Sequence, residues 1–507
     1  MLAEKTRRAG AFHRALWGLG AVLSGAVLAL GVLCLFAVHW YIGVYGNNVG
    51  FGAVVNPLLG PLDHVEQGLV VSFVRYAALP AFAAAALLCF VLFFSARRRL
   101  VLRIGGRFRC PLYPFPRLFS LAAALVVGVC SLLYAAQRVG VPAYLRTIAT
   151  RTTSLEGHYV DPDTVALQFP ENKRNVILIC LESMETSFLS RELGGGIGAN
   201  VIPELYQLAR DNVNFSSSDG VGGSRALMGG DWTIGALVSI TSGVPLKENT
   251  LGERSAFLPG LTTLSDILHE NGYFQALMVG SDASFGGRRQ YYAGHGTDRI
   301  YDLYTAYEDG IVPRDYFVWW GMEDRYLFQY AKQELLALAD QDQPFAFSLL
   351  TVDTHHVGGY LCELCGDAYP EQYENVLACS SRQAAEFVAW IQQQDFYENT
   401  TVIITGDHCS MDGEYAGRNL APDYDRRVYN CFINAPLAPA GAKNRDFSTL
   451  DLFPTILSSL GCTIPGDRLG LGTDLFSATP TLCEELGADR FNGELANYSD
   501  FFVREFL

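Results

Sequence analysis

Two strand-like runs of the sequence each end in side chains that can bind a metal ion. Thr401 to Thr405 is a β-branched run, and Asp407 and His408 follow it almost at once. Val176 to Leu181 is a continuous apolar run, and Glu182 is the first charged residue after it. Ligands bind beyond the carboxyl ends of strands in open α/β sheets, so these side chains are expected at one sheet edge. Carboxylate oxygens and an imidazole nitrogen suit a divalent metal.

Each of these residues also has a simpler structural interpretation. An Asp-His pair in a loop often has no chemical role, and Glu182 would serve equally well as the cap of a following helix. Matching ligand types at two separate strand ends favour the metal site.

A glycine-rich segment from Gly220 to Pro245 supplies a candidate nucleophile. Glycines allow the backbone to pass close to a ligand. Ile234 to Ser242 is predicted to form a short helix, which places Thr233 at a helix N-terminus, where an anion is favoured. A threonine hydroxyl attacks phosphorus once a base or a metal activates it. Thr233 as a plain N-cap is the alternative, and Ser224 is the rival hydroxyl in the same loop.

The elements that must position these residues alternate from Glu171 onward. Alternating strand-like and helix-like runs predict an α/β fold with a mostly parallel sheet covered by helices on both faces. The predicted strands are Val176 to Leu181, Gln275 to Val279, Ala346 to Val352, Thr401 to Thr405 and Tyr429 to Ile433. The predicted helices include Leu261 to Glu270, Asp324 to Ala339, Ser381 to Gln393 and Thr449 to Leu460.

The N-terminal part of the 507-residue chain has the composition of a membrane domain. Three runs free of Asp, Glu, Lys and Arg, at about 17–44, 77–94 and 118–136, predict three transmembrane helices. Buried core helices are the alternative for these runs. The predicted organisation is a membrane domain over 1–136, a linker over 137–170 and an extracytoplasmic catalytic domain over 171–507.

Basic residues set the predicted orientation, because cytoplasmic loops are enriched in Lys and Arg. They precede the first run and fill the loop between the second and third, whereas residues 45–73 hold neither Lys nor Arg. These residues are Lys5, Arg7, Arg8, Arg14, Arg97, Arg98, Arg99, Arg103, Arg107, Arg109 and Arg117. The prediction is a multi-pass protein of the cell membrane with its C-terminal domain outside. A net charge of -15 argues against a nucleic-acid partner.

Four motifs carry a family resemblance: ESMETSF, DWTIGALVSITSGVPL, TVDTHH and TGDH. Together they resemble the phosphoglycerol transferase and lipoteichoic acid synthase group of the alkaline phosphatase and sulfatase superfamily, over Asn175 to about Phe476. The branch that decorates periplasmic glucans is the most similar. The resemblance implies one divalent metal, manganese first, with magnesium or zinc as alternatives. It implies that Glu182, Thr233, Asp407 and His408 hold this metal and that Thr233 is the nucleophile.

The resemblance also implies substrate-binding residues. GSDASFGGR matches the family's glycerol-phosphate segment at Asp282, Ser284 and Arg288, and Arg288 is expected to contact phosphate in a bidentate manner. Gly286 stands where the lipoteichoic acid enzymes have tryptophan, and Arg289 is a possible substitute for Arg288.

TVDTHH supplies two further residues. His355 matches the family's active-site histidine, which stabilises or protonates the leaving oxygen. His356 is an additional substrate-binding candidate, with a core position as the alternative.

The implied reaction moves phosphoglycerol from phosphatidylglycerol to a hydroxyl of a glycan, glycolipid or polymer through a covalent threonine intermediate. The alternatives are a phosphoethanolamine transferase, another phosphodiester or sulfate ester hydrolase of the superfamily, and an inactive membrane-tethered binding protein. A sulfatase proper would need a C/S-x-P-x-R motif, which is not found near the glycine-rich loop.

Three cysteines, Cys362, Cys365 and Cys379, follow His355 closely. Disulfides persist outside the cell, so one bridge is predicted, from Cys362 to Cys379. A zinc site is the alternative, although no fourth ligand is obvious in the neighbouring sequence.

The predicted orientation can be tested with reporter fusions. Because the arginine-rich loop is expected to stay in the cytoplasm, a reporter fused after Phe115 should be active only there. A reporter fused after Leu507 should be active only outside. Activity of both fusions on the same side would contradict the three-span topology.

Overall fold

The computed structural model describes residues 2–45, 67–95, 101–104, 108–111, 117–247 and 257–507. The chain divides into an N-terminal unit that ends at Leu145 and a C-terminal unit that begins at Arg146. The C-terminal unit therefore takes in residues 146–170, which were predicted to belong to a linker.

Among the described residues of the N-terminal unit, three helical segments are long and apolar enough to cross a membrane: Ala15–Val44, Val70–Phe93 and Leu118–Arg138. The second begins earlier than the apolar run predicted. The first and third helices are in backbone contact, since a Cβ on Gly31 would lie 2.4 Å from the carbonyl oxygen of Gly128. Such small-residue contacts are typical of membrane helix pairs. The described helical elements of this unit are Leu2–Tyr45, Gln67–Phe73, Val74–Ala78, Leu79–Cys89, Phe90–Ser95 and Arg117–Arg138, and its described strands are the pair Val101–Ile104 and Phe108–Pro111. Helix Val141–Ala149 contains the boundary between Leu145 and Arg146.

A seven-stranded sheet forms the centre of the C-terminal unit. In chain order the strands are β1 (Asn175–Leu181), β2 (Gly223–Ser224), β3 (Phe274–Val279), β4 (Arg299–Tyr301), β5 (Phe345–Leu350), β6 (Thr400–Gly406) and β7 (Val428–Ile433). Their spatial order is β2-β7-β6-β1-β5-β3-β4, in which β4, β3, β5, β1 and β6 are parallel. β7 is antiparallel to β6, and β2 is antiparallel to β7. This mostly parallel sheet confirms the predicted fold class.

The side chains of β1 alternate between two hydrophobic cores, one on each face of the sheet. Leu178 and Cys180 belong to the first core, while Ile177 and Ile179 belong to the second. Helix α1 (Thr233–Ser242) contributes to the first core, and α2 (Asp324–Ala339) and α3 (Gln372–Ile391) contribute to the second. Each fully buried aliphatic side chain stabilises the fold by about 1.5–3 kcal/mol, so the central strands are firmly held.

All five predicted strands are present, with small shifts at their ends. The sequence did not reveal β2 and β4, because two or three residues are too few for a periodic pattern. The bounds of α2 agree with the prediction, but α3 begins at Gln372 and not at Ser381.

The other α-helices are Ser154–His158, Pro203–Asp211, Leu264–Glu270, Arg288–Gly294, Leu303–Glu308, Gly413–Asn419, Leu452–Ser458, Leu482–Leu486, Ala488–Ala496 and Asp500–Phe506. The 3-10 turns are Pro162–Thr164, Thr186–Phe188, Arg191–Leu193, Phe285–Gly287, Asp395–Asn399 and Thr449–Asp451, and Arg468–Leu469 pairs with Gly472–Thr473.

The register of β1 and β6 brings the predicted metal ligands to one sheet edge. Leu181 pairs with Gly406, so the chain leaves both strands side by side. A Cβ on Gly406 would lie 1.9 Å from the carbonyl oxygen of Met184, so only glycine permits this close approach.

The disulfide predicted between Cys362 and Cys379 is not formed in the structure. Both residues and Cys365 are free thiols. The Cys362 sulfur lies 3.6 Å from that of Cys365 and 3.7 Å from that of Cys379.

Candidate active site

Glu182 is buried directly after β1, and hydrogen bonds fix it there. Its backbone N–H donates to the Thr351 hydroxyl at 2.9 Å, and its carbonyl accepts from the Thr354 hydroxyl at 2.5 Å. The Ser183 hydroxyl donates to Oε1 at 2.7 Å. Thr351 and Thr354 were not singled out in the sequence, although both lie in the TVDTHH motif. They show that this motif supports Glu182 as well as carrying histidines.

Asp407 presents one satisfied and one unsatisfied oxygen. Oδ1 accepts backbone N–H groups from Ser183 at 2.8 Å and from His408 at 2.7 Å. Oδ2 is fully buried and has no hydrogen-bond partner. It lies 3.4 Å from Nε2 of His408. A buried carboxylate oxygen without a partner is costly unless a cation meets it.

His408 places the unprotonated nitrogen of its ring close to Oδ2 of Asp407. Its Nδ1 is 2.9 Å from the carbonyl oxygen of Cys409, and because a carbonyl only accepts, Nδ1 carries the proton. When the ring is neutral, Nε2 therefore offers a lone pair; this atom lies 3.7 Å from Oε1 of Glu182. A backbone carbonyl that fixes the tautomer in this way is typical of metal-binding histidines.

Thr233 places its hydroxyl next to the cluster formed by Glu182, Asp407 and His408. It is the first residue of α1, after the extended N-cap Trp232. Its hydroxyl lies 3.5 Å from Oε2 of Glu182 and 3.4 Å from Nε2 of His408. The N-terminus of a helix favours negative charge on this oxygen. Ser224, the rival hydroxyl, is buried in β2.

The charges of the cluster are unbalanced. Burial, followed by repulsion from Glu182, raises the pKa of Asp407 to about 7. Burial also acts to raise the pKa of Glu182, but the attraction of His408 and His355 outweighs it and lowers that pKa. Two buried carboxylates side by side cannot both ionise easily without a cation.

The residues present fit a divalent metal. One ligand atom each from Glu182, Asp407 and His408 lies within 4.8 Å of the others, and Oδ2 of Asp407 has no other partner. Two carboxylate oxygens and one imidazole nitrogen leave at least one coordination position open for a hydroxyl or a substrate oxygen. The structure therefore groups three of the four predicted ligands, with Thr233 within hydrogen-bonding reach.

A third carboxylate, that of Glu185, connects the two loops that carry the candidate ligands. It is fully buried. It accepts hydrogen bonds from the Arg426 guanidinium and, at 3.2 Å, from the backbone N–H of Ser410. Glu185 lies in the ESMETSF motif, but the sequence did not show which basic residue it would meet.

The predicted substrate segment lies beside the helix that begins at Thr233. A Cβ on Gly286 would lie 3.5 Å from the side chain of Ile234. Ser284 is exposed, and its backbone N–H donates to Oδ1 of Asp282 at 2.7 Å. The backbone of Gly286 has a φ of 66°, a conformation in which tryptophan would be strained.

Arg288 is buried and holds this segment in shape. Its Nε donates to the carbonyl of Phe285 at 3.1 Å, and its Nη2 donates to Ser281 and to the carbonyl of Asp282. These bonds occupy Nε and Nη2, so the bidentate contact expected of Arg288 is not available through these two nitrogens. Burial lowers the pKa of Arg288 to about 10, against the attraction of Glu182 and of further carboxylates. Arg289 is engaged with Asp302 at 2.6 Å.

His355 and His356 lie in a row of rings that the sequence did not reveal. The ring of His355 is 4.6 Å from that of Trp320 and 4.5 Å from that of His356. Trp320 in turn lies 5.3 Å from Phe285. Nδ1 of His355 donates to the carbonyl of His356 at 2.8 Å, so its Nε2 is free to exchange a proton. Burial lowers the pKa of His355.

Trp320 is the residue most clearly missed from the sequence. Its Nε1 is buried and has no hydrogen-bond partner. Its ring bridges Phe285 and His355, although these lie on different loops. No motif marked Trp320, because only the fold brings these loops together.

This mostly parallel sheet, with a carboxylate and histidine cluster and a hydroxyl beyond its strand ends, defines an α/β domain with a candidate metal-binding active site. The chain belongs to the Sulfatase family, whose model matches residues 174–462.

Curated relatives of this chain include two phosphoglycerol transferases I. The enzyme of Xanthomonas euvesicatoria pv. vesicatoria is 30% identical over 354 residues, which cover 66% of this chain and 47% of that protein. The enzyme of Xanthomonas campestris pv. campestris is 31% identical over 353 residues, with the same coverage of 66% and 47%. The chain thus spans less than half the length of these relatives.

A solved structure shares the fold over most of the chain. It is the integral membrane protein lipooligosaccharide phosphoethanolamine transferase A of Neisseria meningitidis. The match has a TM-score of 0.51 and 15% identity, and it covers 87% of this chain and 84% of that one. It supports the succession of apolar N-terminal helices and a sulfatase-like domain.

Replacing Asp407 with Asn should abolish tight binding of a hard divalent ion. The variant keeps the shape of the side chain but removes the charge, so Mn²⁺ affinity should fall by more than the roughly 10–100-fold that outer-shell partners cost. The measurement is a titration of free Mn²⁺ by electron paramagnetic resonance. The control is Glu192→Gln, at an exposed position of the same domain. Equal affinity of both variants for Mn²⁺ would rule out this site.

Proposed function

We propose that this protein transfers a phosphoglycerol group from phosphatidylglycerol to an acceptor hydroxyl of a glycan, glycolipid or polymer. The observation that carries the proposal is the position of the Thr233 hydroxyl between Glu182 and His408 at the start of α1. The relatives named phosphoglycerol transferase I support the identity of the group transferred.

Glu182, Asp407, His408 and Thr233 would hold one divalent metal, with manganese proposed first and magnesium or zinc as alternatives. When bound, this ion supplies Lewis-acid activation of the threonine hydroxyl and of a phosphoryl oxygen. The chain itself supplies orientation, because Thr351, Thr354 and Ser183 prevent Glu182 from turning away.

The reaction proceeds in two displacements at phosphorus. Thr233 loses its proton and its oxygen bonds to phosphorus, while the bond from phosphorus to the diacylglycerol oxygen breaks and that oxygen gains a proton. In the second step the acceptor oxygen bonds to phosphorus, the bond from phosphorus to the Thr233 oxygen breaks, and the proton that the acceptor gives up replaces the one that Thr233 lost. We assign His355 to proton exchange on the leaving and entering side, because its Nδ1–H is already committed to the His356 carbonyl.

The substrate loop would recognise the head group. Asp282 and Ser284 are suited to the glycerol hydroxyls, Arg288 contributes positive charge, and His356 extends the ring surface beside His355. Trp320 would take the place of the tryptophan that is absent at Gly286: it offers an unpaired Nε1–H and an aromatic face from another segment.

The membrane helices fit a donor that is confined to a lipid surface. Three helices of sufficient length and apolarity precede the catalytic domain. The proposal therefore places the protein in the cell membrane as a multi-pass protein, with the sulfatase-like domain outside the cytoplasm.

Replacing Thr233 with Ala should abolish transfer, since the nucleophile itself is removed. The loss should exceed the roughly 10²–10³-fold expected when one stabilising donor is removed. The measurement follows head-group-labelled phosphatidylglycerol into a soluble or glycolipid product and into a trapped peptide of the full-length protein. Ser224→Ala is the matched control and should keep its activity.

Four outcomes would contradict the proposal. Label on Ser224, or turnover by Thr233→Ala, would exclude the threonine mechanism. Transfer from phosphatidylethanolamine in preference to phosphatidylglycerol would favour the phosphoethanolamine transferase alternative. Metal binding without turnover of either lipid would favour an inactive binding protein.

Replacing Trp320 with Ala should weaken recognition of the head group. A loss of about tenfold in kcat/KM, equivalent to about 1.4 kcal/mol, is expected for one lost contact. Trp320→Phe should have a higher kcat/KM than Trp320→Ala, because it keeps the ring packing. It should not reach the wild-type value, because it lacks the Nε1–H. Phe317→Ala, at an exposed aromatic of the same loop, is the control. An unchanged KM and kcat in Trp320→Ala would exclude Trp320 from the substrate site.

A further inference from the structure

Three cysteines form a compact triangle outside the candidate active site. Cys362 and Cys379 are buried and Cys365 is partly exposed. Their sulfur atoms lie within 4.8 Å of one another, with two of the edges at 3.6 and 3.7 Å. Cys362 and Cys365 come from the loop after His355, and Cys379 comes from α3. The triangle therefore joins a loop to a helix.

We propose that Cys362, Cys365 and Cys379 bind a thiophilic divalent cation such as Zn²⁺. Tetrahedral zinc with Zn–S bonds of about 2.3 Å requires sulfur separations of about 3.8 Å, close to the two edges observed. The Cys362-x-x-Cys365 spacing is common in zinc sites. A disulfide would use two of the sulfurs and leave the third beside it without a function.

The local backbone has the arrangement that a thiolate ligand needs. The N–H of Cys365 donates to the Cys362 carbonyl at 3.1 Å, which closes a tight turn between the first two ligands. Outer hydrogen bonds of this kind orient metal ligands.

Two polar side chains of α3 lie beside the Cys379 sulfur and hold it in position. Nη2 of Arg382 and Nε2 of Gln383 each lie 3.4 Å from the Cys379 sulfur. Arg382 also donates to the carbonyl of Leu364 at 2.6 Å. Three thiolates around a divalent cation carry one net negative charge, which Arg382 offsets.

A competing site for a harder ion shares Cys362. Carboxylate oxygens of Glu323 and Asp353 lie within 4.8 Å of its sulfur. Glu323, however, already accepts hydrogen bonds from Tyr316 at 2.7 Å and from Arg325 at 2.6 Å. We therefore assign the ion to the three sulfurs, with a solvent molecule as the fourth ligand on the side of the partly exposed Cys365.

Such a site would fix the segment that carries His355. The proposal does not depend on phosphoglycerol transfer, because the triangle contains none of the residues of the candidate active site. A bound cation would also keep three thiols from oxidation outside the cell.

The test uses the full-length protein loaded with Co²⁺. Sulfur ligands give cobalt an intense charge-transfer absorption, whereas the carboxylates, imidazole and hydroxyl of the candidate active site cannot. The expected result is this absorption in the wild type, its displacement by Zn²⁺, and its loss in Cys365→Ala. Cys483→Ala, at a buried free cysteine elsewhere, should retain it.

A second measurement needs no variant. Alkylation after denaturation without reductant, followed by mass spectrometry, should find all three thiols free. X-ray absorption of the zinc-loaded protein should show a zinc ion with sulfur ligands at about 2.3 Å. A Cys362–Cys379 disulfide, a shell of oxygen ligands only, or a Co²⁺ spectrum without the sulfur absorption would each overturn the proposal.

Discussion

Everything in the candidate active site depends on the burial of two carboxylates at neighbouring strand ends. β1 and β6 are adjacent and in register up to Leu181 and Gly406, so Glu182 and Asp407 leave the sheet together. Oδ2 of Asp407 has no hydrogen-bond partner, and burial, followed by repulsion from Glu182, raises the pKa of Asp407 to about 7. Burying two neighbouring carboxylates is unfavourable, and a bound cation would remove this penalty. Perturbed carboxylates of this kind are common at functional sites.

The sequence was most informative where chemistry and periodicity coincide. Apolar runs located the central strands, and the first polar residue after two of them proved to lie in the cluster. A strand that is buried on both faces of the sheet has a continuous apolar sequence, which is a strong signal for a parallel strand. Edge strands of two or three residues gave no such signal, and the first turns of α3 begin with Gln372 and Tyr373, before any clear apolar period.

Long-range contacts between loops could not be predicted from the sequence. Arg288 was expected to reach phosphate, but its Nε and Nη2 bond its own loop, because a buried guanidinium needs partners for its donors. Trp320 lies beside Phe285 and His355 only because β3 and β5 are neighbours in the sheet. The resemblance showed that Gly286 lacks the family's ring, yet only the fold shows a ring nearby.

The segment from Thr351 to Cys365 is held at both ends, and this limits how His355 can move. At one end the hydroxyls of Thr351 and Thr354 bond the backbone of Glu182. Between the ends, Oδ1 of the buried Asp324 accepts from the backbone N–H of Val352 at 2.7 Å. At the other end, Arg382 fastens the cysteine loop to α3. On the proposed mechanism, a shift of this segment would displace the proton-exchanging ring and the metal-binding carboxylate together. In that mechanism, proton transfer and nucleophile activation would share the support that this segment provides.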